Sequence, residues 1–263
     1  MRRRLSLSAV LWLFIGAAYF LIPLIGTLLF SLKDNQTGTC CTLASYGEIL
    51  HDPAFWKNLR ISAVLALETI VIALALLIPT VYWVHLKLPK LRPIIGFLAL
   101  IPFVVPPIIL VVGLLDVYRT SPTWFYAQPY GFLVAAYVIL AFPYIYFALD
   151  AGFRAIDVHT LTEASQNLGA SWPTTLVRVI LPNIRVAALA GAFLTLAIVM
   201  GEFTIASLAT FDTFPIYLQY VNQNKAYPAG AVTLIAFVIT WAAMLSLLLV
   251  GRDRPVQLGG GAK

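Results

Sequence analysis

At 263 residues, 61% of them hydrophobic and only 11% charged, the chain lies far from a soluble globular domain, in which about a quarter of residues carry charge. A mean hydropathy of +0.90 points to a polytopic membrane protein, read as a single transmembrane domain over residues 1–263. The net charge of +6 calls for no nucleic acid, because no basic patch interleaves with aromatics. The apolar runs also lack the alternation of barrel strands, which leaves an all-α fold.

A bilayer core about 30 Å thick needs roughly 20 apolar residues per helix, and six windows supply them. The first, 5–32, follows Arg2, Arg3 and Arg4. Its apolar run is too long for a signal-peptide core and no A-x-A-like site follows, so it reads as an uncleaved anchor. Cys40 and Cys41 come next; a bridge between neighbours is strained, which favours unpaired thiols or links to another chain. The second window, 62–84, contains Glu68. The third, 94–115, holds Pro102, Pro106 and Pro107, and the fourth, 132–149, holds Pro143. Membrane bundles accept such prolines. Asp116 and Asp150 fall near span ends, where interface solvation suffices. The windows 186–209, with Glu202, and 229–250 complete the set.

Six spans put both termini on one side. With the N-terminus in the cytoplasm, only Lys33, Lys57, Arg60, Arg119 and Lys225 among the 17 Lys and Arg residues lie outside, which is a positive-inside arrangement. The segment 154–185, between spans four and five, is then cytoplasmic. It is long for a connector, and such loops are usually functional. Thr160 and Glu163 fit a capping box, Gly169 a C-terminal left-handed turn, and Ser171 the cap of a second helix with Pro173 in its first turn. Pro182 ends that helix or kinks its entry into span five.

The spacing Glu163-Ala164-Ser165, Gly169, Val179-Ile180-Leu181-Pro182 resembles the EAA loop of permease subunits in binding-protein-dependent type I ABC importers. Ser stands for the second Ala and Val for Ile of that pattern. The resemblance implies a coupling helix that docks into a separate cytoplasmic ATPase. Glu163 would accept charge-assisted hydrogen bonds there, Ala164 and Ser165 would allow close approach, and Gly169 would make the turn, with Leu181 and Pro182 closing the motif. It further implies a bacterial cytoplasmic (inner) membrane location and a second permease subunit, the same chain or a related one. Two ATPase subunits carrying ATP and Mg and an extracytoplasmic substrate-binding protein would complete the assembly. No G-x-x-x-x-G-K-[ST] loop occurs, so hydrolysis would belong to the partner. The chain itself would be no enzyme and bind no cofactor.

Ionisable residues inside spans are functional candidates. Counted at about 1.5 Å per residue, Glu68 and Glu202 lie at similar depth in the outer half of the bilayer, either as an acidic collar on the pathway or as structural carboxyls. "PFVVPPIILVVGLL" (Pro102–Leu115) and "GEFTIASL" (Gly201–Leu208) look most like permeases for polyamines, with those for ferric ion, thiamine or aminophosphonate as alternatives. A stand-alone secondary transporter is disfavoured by the lack of an internal repeat. His51, His85 and His159 are scattered and form no metal set.

Overall fold

In a computed structural model the described residues are 7–34 and 38–252. They form helices α1 (Leu7–Ser31), α2 (Ala44–Leu50), α3 (Pro53–Lys87), α4 (Arg92–Ala99), α5 (Ile101–Val104), α6 (Pro107–Tyr118), α7 (Thr123–Tyr126) and α8 (Pro129–Arg154). These continue as α9 (Val158–Asn167), α10 (Trp172–Thr175), α11 (Leu181–Asn183), α12 (Arg185–Gly201), α13 (Thr204–Leu208), α14 (Phe214–Asn224) and α15 (Ala226–Arg252). A 3-10 turn, Pro89–Leu91, precedes α4, and a π-helical stretch, Leu176–Ile180, joins α10 to α11. No strand occurs among the described residues.

Among the described residues four helices (α1, α3, α8 and α15) are long and apolar enough to cross a bilayer, and the number is six when each of two bent pairs counts as one span. The expected third span, 94–115, is not one helix. The segments Pro89–Val104 and Pro107–Tyr118 meet at 95°. Val105 (φ −76°, ψ 120°) and Pro106 (φ −58°, ψ 139°) each precede a proline, whose ring drives them out of the helical region. The expected fifth span, 186–209, also breaks: Glu202 is extended (φ −77°, ψ 112°) between α12 and α13. The second and fourth spans run longer than 62–84 and 132–149, because α3 and α8 extend past the apolar windows with polar turns.

Packing divides the chain into two compact units, Met1–Asn58 with Ile216–Ile239, and Leu59–Pro215 with Thr240–Lys263. Within the first, the Phe30 and Tyr227 rings lie 5.0 Å apart. Tyr217 donates to Asp52 at 2.8 Å, and burial with that contact pushes the phenol up from its ordinary pKa. Cys40 and Cys41 are exposed and unbridged.

The second unit has a core in which Ala73, Leu77 and Val81 of α3 meet Ala141, Ile145, Leu149 and Phe153 of α8. Both sets recur at four-residue spacing, which aligns them on one helix face. α8 and α12 pair extensively. Gly152 permits it, since a Cβ there would collide with that of Ala187. Lipid tails are as apolar as leucine, so close packing through small residues holds membrane helices together. The many exposed Leu, Ile and Phe side chains, including those of α1, are what a lipid solvent requires.

Candidate functional site

The polar segment between the fourth and fifth spans folds as a helical hairpin. Asp157, not Thr160, caps α9: its carboxylate accepts from the Thr160 N–H at 3.1 Å and from the Thr160 hydroxyl at 2.7 Å. The expected Thr160–Glu163 capping box is thus replaced, because the helix begins three residues earlier and Asp157 already serves its first turn. The same contacts hold the Asp157 carboxyl below the usual range. At the other end Gly169 is left-handed (φ 81°). Its N–H bonds Gln166 O at 2.8 Å, and that of Ala170 bonds Ser165 O at 3.1 Å, the two links of a Schellman turn. Ser171 occupies the expected N-cap position, with Pro173 in the first turn. Its hydroxyl pairs with that of Thr174 at 2.9 Å rather than with a backbone N–H.

One face of α9 is pinned to the rest of its unit. The Thr162 hydroxyl donates to Val158 O at 2.6 Å, so Tyr82 of α3 donates to it at 3.0 Å. Ser165 is buried and meets Thr175 at 2.9 Å. Trp172 stacks on Trp83 with centroids 5.9 Å apart. The opposite face presents Glu163 and Ala164, with Leu168 89% exposed. Of the two small residues in the motif, therefore, Ala164 alone lies outward. Leu181 packs partly against the core, while Pro182 is exposed. Pro182 leaves the Arg178 carbonyl without its usual donor, which suits the wider π turn beside it. Trp172–Asn183 then meets Arg185–Gly201 at 77°.

Beside the hairpin is a cluster that the sequence reading passed over. Asp150 is buried, not solvated at an interface as expected. His85 of α3 donates to it at 2.8 Å, Arg92 of α4 lies at 3.3 Å and Arg154 at 2.5 Å. The one sequence signal was the i, i+4 spacing of Asp150 and Arg154; the other partners come from distant segments.

Glu202 is 8% exposed. Its carboxylate accepts from the N–H groups of Ile205 at 2.8 Å and Ala206 at 3.3 Å, and it hydrogen-bonds Tyr137. It also lines a 350 Å3 cavity with Phe103, Tyr144, Phe203 and Thr204. Glu68 is half-buried on α3 and is not among the residues lining that cavity. Among the described residues no group of three or more His, Cys, Asp or Glu side chains could hold a metal ion.

Comparison with known proteins places this architecture. The chain is 28% identical over 225 residues to the spermidine/putrescine transport system permease protein PotB of Salmonella typhimurium, covering 78% of this chain and 77% of that one. It is 27% identical over 244 residues to a probable molybdenum ABC transporter permease of Haloferax volcanii, covering 88% and 84%. A solved bacterial ABC transporter that imports alginate superposes with a TM-score of 0.67 at 15% identity, over 93% of this chain and 95% of that one, which speaks to the fold. Residues 86–252 match the family described as binding-protein-dependent transport system inner membrane component, and the chain, a multi-pass inner-membrane transport subunit of the ABC importer class, belongs to that family.

Proposed function

We propose that the chain forms half of a translocation pathway and couples to a separate cytoplasmic ATPase through α9, in an importer for a small organic cation of the polyamine type. The observation that carries the coupling reading is the two-sidedness of α9. Tyr82 ties its inner face to the membrane-spanning α3 and Ser165 ties it to the second arm of the hairpin, while Glu163, Ala164 and Leu168 stand outward. A helix fixed on one side and free on the other transmits a push. Small Ala164 allows close seating, Leu168 offers an apolar anchor, and Glu163 offers a charge that fixes register. In this reading ATP and Mg stay on the partner ATPase, a second permease completes the pathway, and an extracytoplasmic binding protein delivers substrate. Both termini and residues 154–185 face the cytoplasm.

Identity to relatives does not choose the substrate, since one is named for spermidine and putrescine and another for molybdenum. The cation reading rests on Glu202 and its surroundings; ferric ion, thiamine and aminophosphonate are the rivals. The test is reconstitution with ATPase and binding protein. Glu163→Ala should lower uptake by 30-fold or more, on the order of the 2–5 kcal/mol lost when one partner of an interfacial charged contact is removed. Insertion should be unaffected, and ATPase stimulation should fall in parallel. Normal uptake and normal stimulation would refute the docking role of α9.

A further inference from the structure

Both broken spans open on the same space. Val105 and Pro107, from the break between α5 and α6, share the walls of the 350 Å3 cavity with Gly201, Glu202 and Phe203, from the break between α12 and α13. Non-helical backbone at membrane depth persists only where it is buried in protein or lines a water-filled cavity. Two such breaks on one cavity therefore argue that it holds water.

The chemistry of its walls is one-sided. Glu202 is the single charged residue among those lining it, and no Lys, Arg or His is present. Pro102 and Pro107, both on its wall, carry no N–H, so the first break brings few backbone donors to the cavity. The Phe103 ring is 64% exposed and meets Tyr144 edge to face, centroids 6.0 Å apart. Aromatic faces attract ammonium groups. Glu202, its oxygens committed to Ile205, Ala206 and Tyr137, contributes the field of a fixed carboxylate in poor dielectric rather than a direct ligand. Phe103 and Tyr144 also line an adjoining 290 Å3 hollow that continues along α8 to Phe147 and Ala148.

We infer that the cavity where the two span breaks converge is a station for an organic ammonium ion in transit, held by the Phe103 and Tyr144 rings in the field of Glu202. This rests on the reading of the chain as a pathway subunit, and it names the residues that would choose the cargo.

The test uses thiol labelling of the full chain in membrane vesicles, with Cys40 and Cys41 replaced by Ser and a single cysteine introduced as Thr204→Cys or, separately, Tyr144→Cys. A trimethylammonium methanethiosulfonate reagent should react at least about tenfold faster than its sulfonate counterpart, because one buried carboxylate acts on the two with opposite sign. At Thr204→Cys, where both rings remain, spermidine should slow the cationic reagent, and Glu202→Gln should bring the two rates together. No reaction with either reagent at both positions would show a dry cavity and overturn the inference, as would equal rates with Glu202 intact. Labelling needs no ATPase, so a cation-selective cavity in a chain whose α9 variants leave ATPase stimulation untouched would sink the coupling reading alone.

Discussion

At the scale of single residues, two aspartates with different surroundings have different consequences. Asp157 is exposed, and the Thr160 N–H and hydroxyl hold its carboxyl below the usual range. A group whose folded pKa is depressed contributes stability above its unfolded value and loses it as pH falls through the folded one. Protection of the Thr160 amide from hydrogen exchange, corrected for intrinsic rate, should therefore stay level from about pH 8 to about pH 5 and fall only below about pH 4. In Asp157→Ala it should be low throughout; equal protection in that variant would rule out the cap. Asp150 is buried among His85, Arg92 and Arg154. Removing the acid leaves three donors facing one another, and loss of one partner from a buried pair costs about 3–5 kcal/mol. Arg154 is 63% exposed, so Asp150→Ala should fall at or below the low end, about 3 kcal/mol. A lowered unfolding midpoint of the detergent-solubilised protein would register it, and an unchanged midpoint would mean that the cluster adds nothing.

At the scale of elements, the packing of α8 on α12 and the turn after α9 each hang on one glycine. At Gly152 a side chain would run into Ala187. Gly152→Val should separate the two helices at about 1–3 kcal/mol, the usual range for overpacking, visible as lower yield and a lower unfolding midpoint. Gly169 has open space around it but φ 81°, so the cost of Gly169→Asp is conformational, and Asn or Asp tolerates that region better than most. Gly169→Asp should accordingly insert normally and fail in uptake, through a charge beside Leu168 on the outward face. Gly169→Val should harm the hairpin itself. If Gly169→Asp transports at the normal rate, that face makes no close contact. The broken third and fifth spans belong to this scale as well. Pro106 and Pro107 announce a break whose angle they do not set, and nothing local to "GEFT" says that its Glu caps the helix that follows.

For the whole molecule the prediction is topological. With residues 154–185 in the cytoplasm, a cysteine introduced as Ser171→Cys, with Cys40 and Cys41 replaced by Ser, should react with an impermeant reagent only after the membrane is opened. Labelling in intact cells would invert the arrangement. The reading rests on the asymmetry of Lys and Arg between the two sides, which acts during insertion. Ser171 is exposed at the hairpin tip, so failure to label for want of access is not at issue.

Composition and apolar run length were enough for an all-α membrane protein with six crossings, because the thickness of a bilayer constrains every span in the same way. The order Glu163, Gly169, Pro182 was likewise legible, since helix ends and turns depend on residues a few positions apart: the left-handed Gly169 and the bend near Pro182 are local chemistry. Only the tertiary structure could decide which of those residues face outward. Ser165 turns in because Thr175 happens to lie opposite, and Asp150 is buried because His85 and Arg92, 65 and 58 residues away, converge on it. The cavity at Glu202 has the same origin. Its two walls are breaks nearly a hundred residues apart in sequence, and no pattern within either segment records that packing brings them together.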